Sequence, residues 1–132
     1  MARTQSSSVF VSPTPPAPEV KLGIERVTKP GVTVEYGKYL ANTCTLCHAS
    51  NLNGQTLREG GNVYVALNLT RGGEMGGWSE DQFITTMRTG VTPGGKQLID
   101  FMPWKYFGQM TDDELKAVWL YLQSLPALPR GK

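Results

Sequence analysis

Histidine is almost missing from this chain: His48 stands alone among 132 residues. Cysteine is nearly as scarce, with only Cys44 and Cys47. A structural zinc site takes four ligands, usually cysteine or histidine, so zinc here would need an acidic fourth ligand. A second imidazole ligand to any metal is excluded within the chain. An excess of one charge is also lacking. The formal net charge is +2, and from Val34 onward nine lysines and arginines balance nine acids. Nucleic-acid binding normally needs a basic stripe; none is present, and no nucleic-acid partner is expected. No apolar run approaches the ~20 residues that cross a bilayer. Near the start, Val9, Phe10 and Val11 are the only apolar cluster, too short for the core of a secretory signal.

Glycine and proline are plentiful instead, 15 and 9 residues, and imply much loop and turn. Hydrophobic residues make up 39%, enough for one small core. A domain of about 100 residues buries only roughly 60–70% of its unfolded surface, so a bound group or staple would help it. Residues 1–30 contain "SSSVFVSPTPPAPEV" and read as a disordered Pro/Ser-rich tail or linker. Proline lacks the amide donor and fixes φ, which favours an extended, semi-rigid spacer. It is either a plain end or a tether to a membrane anchor or neighbouring domain. Residues 31–132 are expected to form a single domain.

That domain is expected to be all-α, with about three to five helices set by apolar periodicity. Tyr36, Leu40, Thr43, Cys44 and Cys47 recur at helical spacing behind a weak cap, Thr33. Residues 49 to 77 hold seven glycines and read as loop, with "NVYVALNL" as a short extended piece. "SEDQ" at Ser79 to Gln82 is a capping box. It opens a helix with Phe83, Ile84 and Met87 on its apolar face, and Gly90 closes it. "TDDE" at Thr111 to Glu114 is a second capping box, with acids matching the helix dipole. Behind it Leu115, Val118, Trp119 and Leu122 make a stripe at i, i+3, i+4, i+7, and Pro126 stops the helix. Between these helices "VTPGGKQLIDFMPWKYFGQ" combines turn residues with four aromatics, more apolar surface than a free loop carries.

"CTLCH", Cys44 to His48, reads C-x-x-C-H, the attachment signature of a c-type haem. Two cysteines three positions apart on one helical turn face the same way, so each thiol can meet one vinyl group. The imidazole beside them can then ligate the iron. One such motif implies one haem c, bound covalently through Cys44 and Cys47. Three other readings stay open: a C-x-x-C redox pair, which would be expected near a βαβ unit; a zinc site; and a plain disulfide, which leaves His48 unexplained.

With one histidine, the far side of the iron must take methionine, lysine, water or nothing. Met1 lies in the tail, Met87 on a core-facing stripe, and Met110 at a hydrophobic-staple position before Thr111. Met75 sits between glycines, where holding it in place is entropically costly. Met102 is followed by Pro103 and flanked by Phe101, Trp104, Tyr106 and Phe107, and is the chosen ligand, with Met75 in reserve. Trp104 is read either as lining the cofactor and tuning its potential, or as ordinary core.

"YGKYLANTCTLCH", "WSEDQFITTMRTG", "FMPW" and "TDDELKAVWLYLQSLP", in this order over residues 34 to 126, resemble the class I cytochromes c. The run from "MPW" through "MTDDELKAVWLYLQSLP" is most similar to haem domains serving bacterial membrane-associated dehydrogenases and respiratory complexes. The resemblance implies Cys44 and Cys47 as thioether residues, His48 as proximal ligand and Met102 as distal ligand. It implies a crosswise contact of the first and last helices, near Gly37 and Trp119. In the family a proline carbonyl accepts from the proximal histidine; the matching run here is "ALNLT", so Leu67 or a neighbour is expected to supply the carbonyl. Ala49 follows His48 where the family often has glycine, which puts the local turn in question.

The function expected is electron carriage between redox partner proteins, not catalysis, because an iron with both axial positions filled has no site for substrate. A thioether ligand also raises the potential. The alternative is a haem sensor or peroxidase-like protein with an open distal site. Scattered positive residues offer little electrostatic steering, so a tethered cytochrome or a haem subunit of a larger oxidoreductase is expected. Thioether attachment takes place outside the cytoplasm, which places the chain in the periplasm or at the cell surface.

Overall fold

A computed structural model describes residues 29–132. The tail expected over residues 1–30 therefore lies, apart from its last two residues, outside the described part.

Helix α1, Val34–Ala41, starts where Thr33 Oγ1 accepts from Tyr36 N at 3.1 Å. A 3₁₀ turn, Asn42–Cys44, leads into the single-turn helix α2, Thr45–His48. Two antiparallel strands follow, β1 (Gln55–Glu59) and β2 (Asn62–Ala66), with Gln55 opposite Ala66 and Glu59 opposite Asn62. A second 3₁₀ turn, Glu74–Gly77, precedes α3, Glu80–Thr89. The single-turn α4, Trp104–Phe107, and the long α5, Asp112–Ser124, complete the order. The fold is thus mostly helical, as expected.

The hairpin was not expected. Its turn is Gly60–Gly61, with φ of 57° and 82°. Two consecutive positive φ values make the turn whose twist suits a two-residue hairpin, and glycine takes them without a Cβ penalty. Only the second strand carries an apolar signal; "QTLRE" is polar and pairs through its backbone.

Both expected capping boxes form. Ser79 and Gln82 exchange bonds of 3.1 and 2.8 Å, and Thr111 and Glu114 do the same at 3.1 and 2.8 Å. Gly90 ends α3 in the left-handed conformation, φ 76°. Arg88, in the last turn of α3, reaches the Gly108 carbonyl and pairs with Asp112 at 2.6 Å, tying α3 to the start of α5.

The expected stripe on α5 is buried: Leu115, Val118, Trp119 and Leu122 join Phe83, Met87 and Ala41 in one core. The Trp119 and Phe83 rings meet at 5.5 Å. Helix α1 crosses α5 at Gly37, where a Cβ would fall onto the Ala117 carbonyl and within 2.9 Å of Tyr121 Cβ. Only a residue without a side chain permits that approach. The crossing places the end of α1, and so the two cysteines, beside the core face of α5.

Candidate haem site

A cavity of about 860 Å³ opens beside this core, within the size range of ligand sites. Its walls are overwhelmingly apolar, with Leu40, Phe83, Val118 and Leu122 on the core side. Cys44, Cys47, His48, Leu67 and Met102, which sequence alone singled out, all line it.

Cys44 closes the 3₁₀ turn and Cys47 sits in α2, one helical turn apart, and both thiols are free. Burial, and secondarily the neighbouring Cys47, pushes the Cys44 thiol up to about 11. Leu46, between the two cysteines, turns outward and is 78% exposed. Gln55 Nε2 donates to the Cys47 carbonyl at 3.0 Å and fastens α2 to the start of β1.

His48 is 7% exposed, and its Nδ1 lies 2.8 Å from the Leu67 carbonyl oxygen. A carbonyl only accepts, so Nδ1 carries the proton and Nε2 keeps its lone pair for the cavity. Burial lowers the imidazole's affinity for a second proton, and the Leu67 bond offsets this only in part. The site therefore presents a neutral imidazole with one nitrogen free.

Ala49 ends α2 at φ 73°, ψ 160°, a region that side chains disfavour. The turn geometry that glycine would suit is kept, with alanine holding it under strain.

Met102 is half-buried against the core, and its amide donates to the Ile99 carbonyl at 3.2 Å. All four methionines of the described residues, Met75, Met87, Met102 and Met110, line the cavity. Met75 departs from expectation: it is 2% exposed and part of the core. The glycines around it form a 3₁₀ turn, closed by Gly76 N to Gly73 O at 3.0 Å and Trp78 N to Met75 O at 3.1 Å, so the segment is not slack.

Trp104 corrects the reading that it lines the cofactor. It is not among the cavity-lining residues, and its ring instead covers Gly90, where a Cβ would collide with it. Of its two expected roles, the packing one matches this position.

Sequence reasoning missed four contributors. Tyr64 of β2 stacks on Phe101, the residue before Met102. Gln55 grips Cys47. Buried Asn68 and Thr70 organise the stretch after Leu67. Only a pairing partner for "NVYVA" could have revealed the first two.

The alternatives for "CTLCH" find no support. Both cysteines are free, the one sheet among the described residues is an antiparallel hairpin, and no cluster of three or more metal-binding side chains occurs among them. The donor set suits a haem instead: two thiols one turn apart, a neutral imidazole and thioethers, around an apolar slot.

The sequence model of the cytochrome c family matches residues 34–126. The chain belongs to the cytochrome c family. Haem c and electron carriage come with that membership. Curated relatives are similar over most of this chain. The fructose dehydrogenase cytochrome subunit of Gluconobacter japonicus is 26% identical over 89% of this chain and 25% of its own length. The cytochrome c subunit of the quinone-dependent alcohol dehydrogenase of Gluconobacter oxydans is 29% identical over 75% of this chain and 25% of its own. A nicotinate dehydrogenase subunit from Pseudomonas putida is 28% identical over 76% of this chain and 10% of its own. The cytochrome described here thus spans a quarter or less of the relatives it matches.

Proposed function

We propose that this chain is a mono-haem cytochrome that passes single electrons by outer-sphere transfer, serving a larger oxidoreductase. The observation that carries this is the gathering of Cys44, Cys47, His48 and Met102 around one apolar cavity, with His48 oriented by its Nδ1–H bond to the Leu67 carbonyl.

Bound haem would supply one-electron exchange between ferric and ferrous iron. Cys44 and Cys47 would hold it, each S–H adding across a vinyl double bond so that sulfur bonds one carbon and hydrogen the other. Leu67 fixes the tautomer and ring plane of His48, leaving Nε2 as the proximal donor. Met102 would offer a soft thioether as the second donor, which would favour the reduced state. The apolar walls exclude water and disfavour the extra positive charge of the oxidised state. With His48 and Met102 both holding the group, the residues would leave no position for a substrate.

Residues 1–30 are proposed as a linker and 31–132 as the haem domain. Among the described residues no helix is long and apolar enough to cross a membrane. The attachment chemistry supports a periplasmic or cell-surface location. The relatives, which by name are subunits of dehydrogenases, support a dehydrogenase as electron donor.

The test is the oxidised protein matured with haem. Its mass should exceed that of the polypeptide by one haem, and its spectrum should show a thioether-to-iron charge-transfer band. Met102→Ala should abolish the band and Met75→Ala should keep it. A bare polypeptide mass overturns the proposal. A high-spin ferric spectrum in the unsubstituted protein supports the sensor or peroxidase-like reading instead.

A further inference from the structure

The Leu67–Asn68 peptide, whose carbonyl accepts from His48, is held from several sides. On one side lies Gly54: a Cβ there would come within 3.0 Å of both Leu67 C and Asn68 N. Leu69 N donates to Leu52 O at 2.8 Å, and Gly54 N to His48 O at 2.9 Å, so the loops after His48 and after Leu67 are zipped together. On the other side lies a segment with no helix or strand of its own, residues 127–132.

That segment is bound by specific polar contacts. Asn68 Nδ2 donates to Leu128 O at 2.8 Å, and Leu128 N donates to Thr70 Oγ1 at 3.1 Å. Thr70 Oγ1 donates in turn to Asn68 Oδ1 at 2.7 Å, closing a ring of three residues. Thr70 is fully buried and Asn68 is 6% exposed. Gly72 lets the segment approach, because a Cβ there would overlap the Leu128 backbone. Further along, Asn53 Nδ2 donates to Pro129 O at 3.0 Å and Gly131 N donates to Asn53 O at 2.9 Å. The segment therefore ties the Leu52–Gly54 loop and the Leu67–Thr70 loop into one block. A buried, fully satisfied polar network fixes one geometry, because any shift leaves a donor unpaired.

We propose that residues 127–132 are a strap that sets the position of the Leu67 carbonyl under His48, with Asn68, Thr70 and Leu128 as positioning residues for the imidazole. This rests on the haem-ligating role given to His48. A firm Nδ1–H···O bond raises the basicity of Nε2 and favours the oxidised metal. A loosened carbonyl weakens that bond and raises the reduction potential.

The test uses the haem-loaded protein in four forms: unsubstituted, Thr70→Val, Thr70→Ser, and a chain ending at Pro126. Three quantities are read: the midpoint potential, the exchange rate of the His48 Nδ1 proton by NMR, and thermal unfolding. Thr70→Val and the shortened chain should both shift the potential upward and speed proton exchange at least tenfold; Thr70→Ser, which keeps the hydroxyl, should match the unsubstituted protein. The shortened chain removes no cavity-lining residue, so it reports even if Thr70→Val fails to fold. Lowered thermal stability with unchanged potential and exchange would overturn the proposal. Absence of His48 ligation in the unsubstituted protein would instead refute the underlying reading, and so separates the two failures.

Discussion

The rings of Tyr64 and Phe101 lie face to face, centroids 4.0 Å apart and planes 4° from parallel. Tyr64 belongs to the hairpin that follows the cysteine motif, and Phe101 precedes Met102. One aromatic pair thus joins the His48 end of the chain to the Met102 loop at the cavity's rim.

Removing that pair should loosen the Met102 loop. A stacked pair is worth about 1 kcal/mol beyond its buried area, which corresponds to roughly fivefold in an equilibrium. Tyr64→Ala in the haem-loaded protein should therefore bind added imidazole about fivefold more tightly, by displacing Met102. Tyr64→Phe should behave as the unsubstituted protein. Equal binding by all three, in a spectrophotometric titration, would show that the stack does not restrain the loop.

Gly37 allows no side chain. Gly37→Ala must push α1 off the Ala117 carbonyl, an overpacking cost of about 3 kcal/mol. For a domain of this size the melting temperature should fall by roughly 12–24 °C. Thermal unfolding followed by circular dichroism measures it, and a fall of only a few degrees would mean the helices can part cheaply.

Ala49→Gly should do the reverse. Relief of strain at φ 73°, ψ 160° is worth about 1–3 kcal/mol, against about 0.5–1 kcal/mol of added chain entropy in the unfolded state. A net gain of about 1 kcal/mol is expected in denaturant unfolding. A loss would place the strain elsewhere.

The Cys44 thiol, pushed up to about 11 by burial, should be sluggish in chain made without haem. At pH 8 its thiolate fraction is about a hundredfold below that of an ordinary cysteine with a pKa near 9. Iodoacetamide should therefore modify it about a hundredfold more slowly than an unstructured cysteine, with the rate rising about tenfold per pH unit up to about pH 11. The linkage sign is set by the raised value: the contribution of the Cys44 thiol to the stability of the haem-free fold is complete below about pH 9 and is lost as pH climbs through about 11. Peptide mapping of the modified protein reads the rate, and a fast reaction at pH 8 would show the thiol open to solvent.

What could be read without coordinates was local. "CTLCH", both capping boxes and the α5 stripe are each contained within a few turns, so residue order alone carries them. Leu67 was legible through family resemblance, and its carbonyl lies 2.8 Å from His48 Nδ1. The hairpin was not, because "QTLRE" gains its identity from a partner strand and not from its own side chains. Met75 misled because glycines read as slack, whereas here they make a tight turn around a core side chain. Trp104 misled because nearness in sequence to Met102 does not determine which way an indole faces. The Asn68–Thr70–Leu128 ring joins residues about 60 positions apart, and no local pattern announces such a bond.

The contact between α1 and α5 has a consequence for the order of events during folding. Helix α1, which leads into the cysteine motif, gains its α5 partner only through Ala117 and Tyr121, some eighty residues after Gly37. Contacts that distant form late and slowly. Until that contact forms, Cys44 and Cys47 stay on an open, unshielded stretch of polypeptide, which is the interval in which an attaching enzyme can reach them.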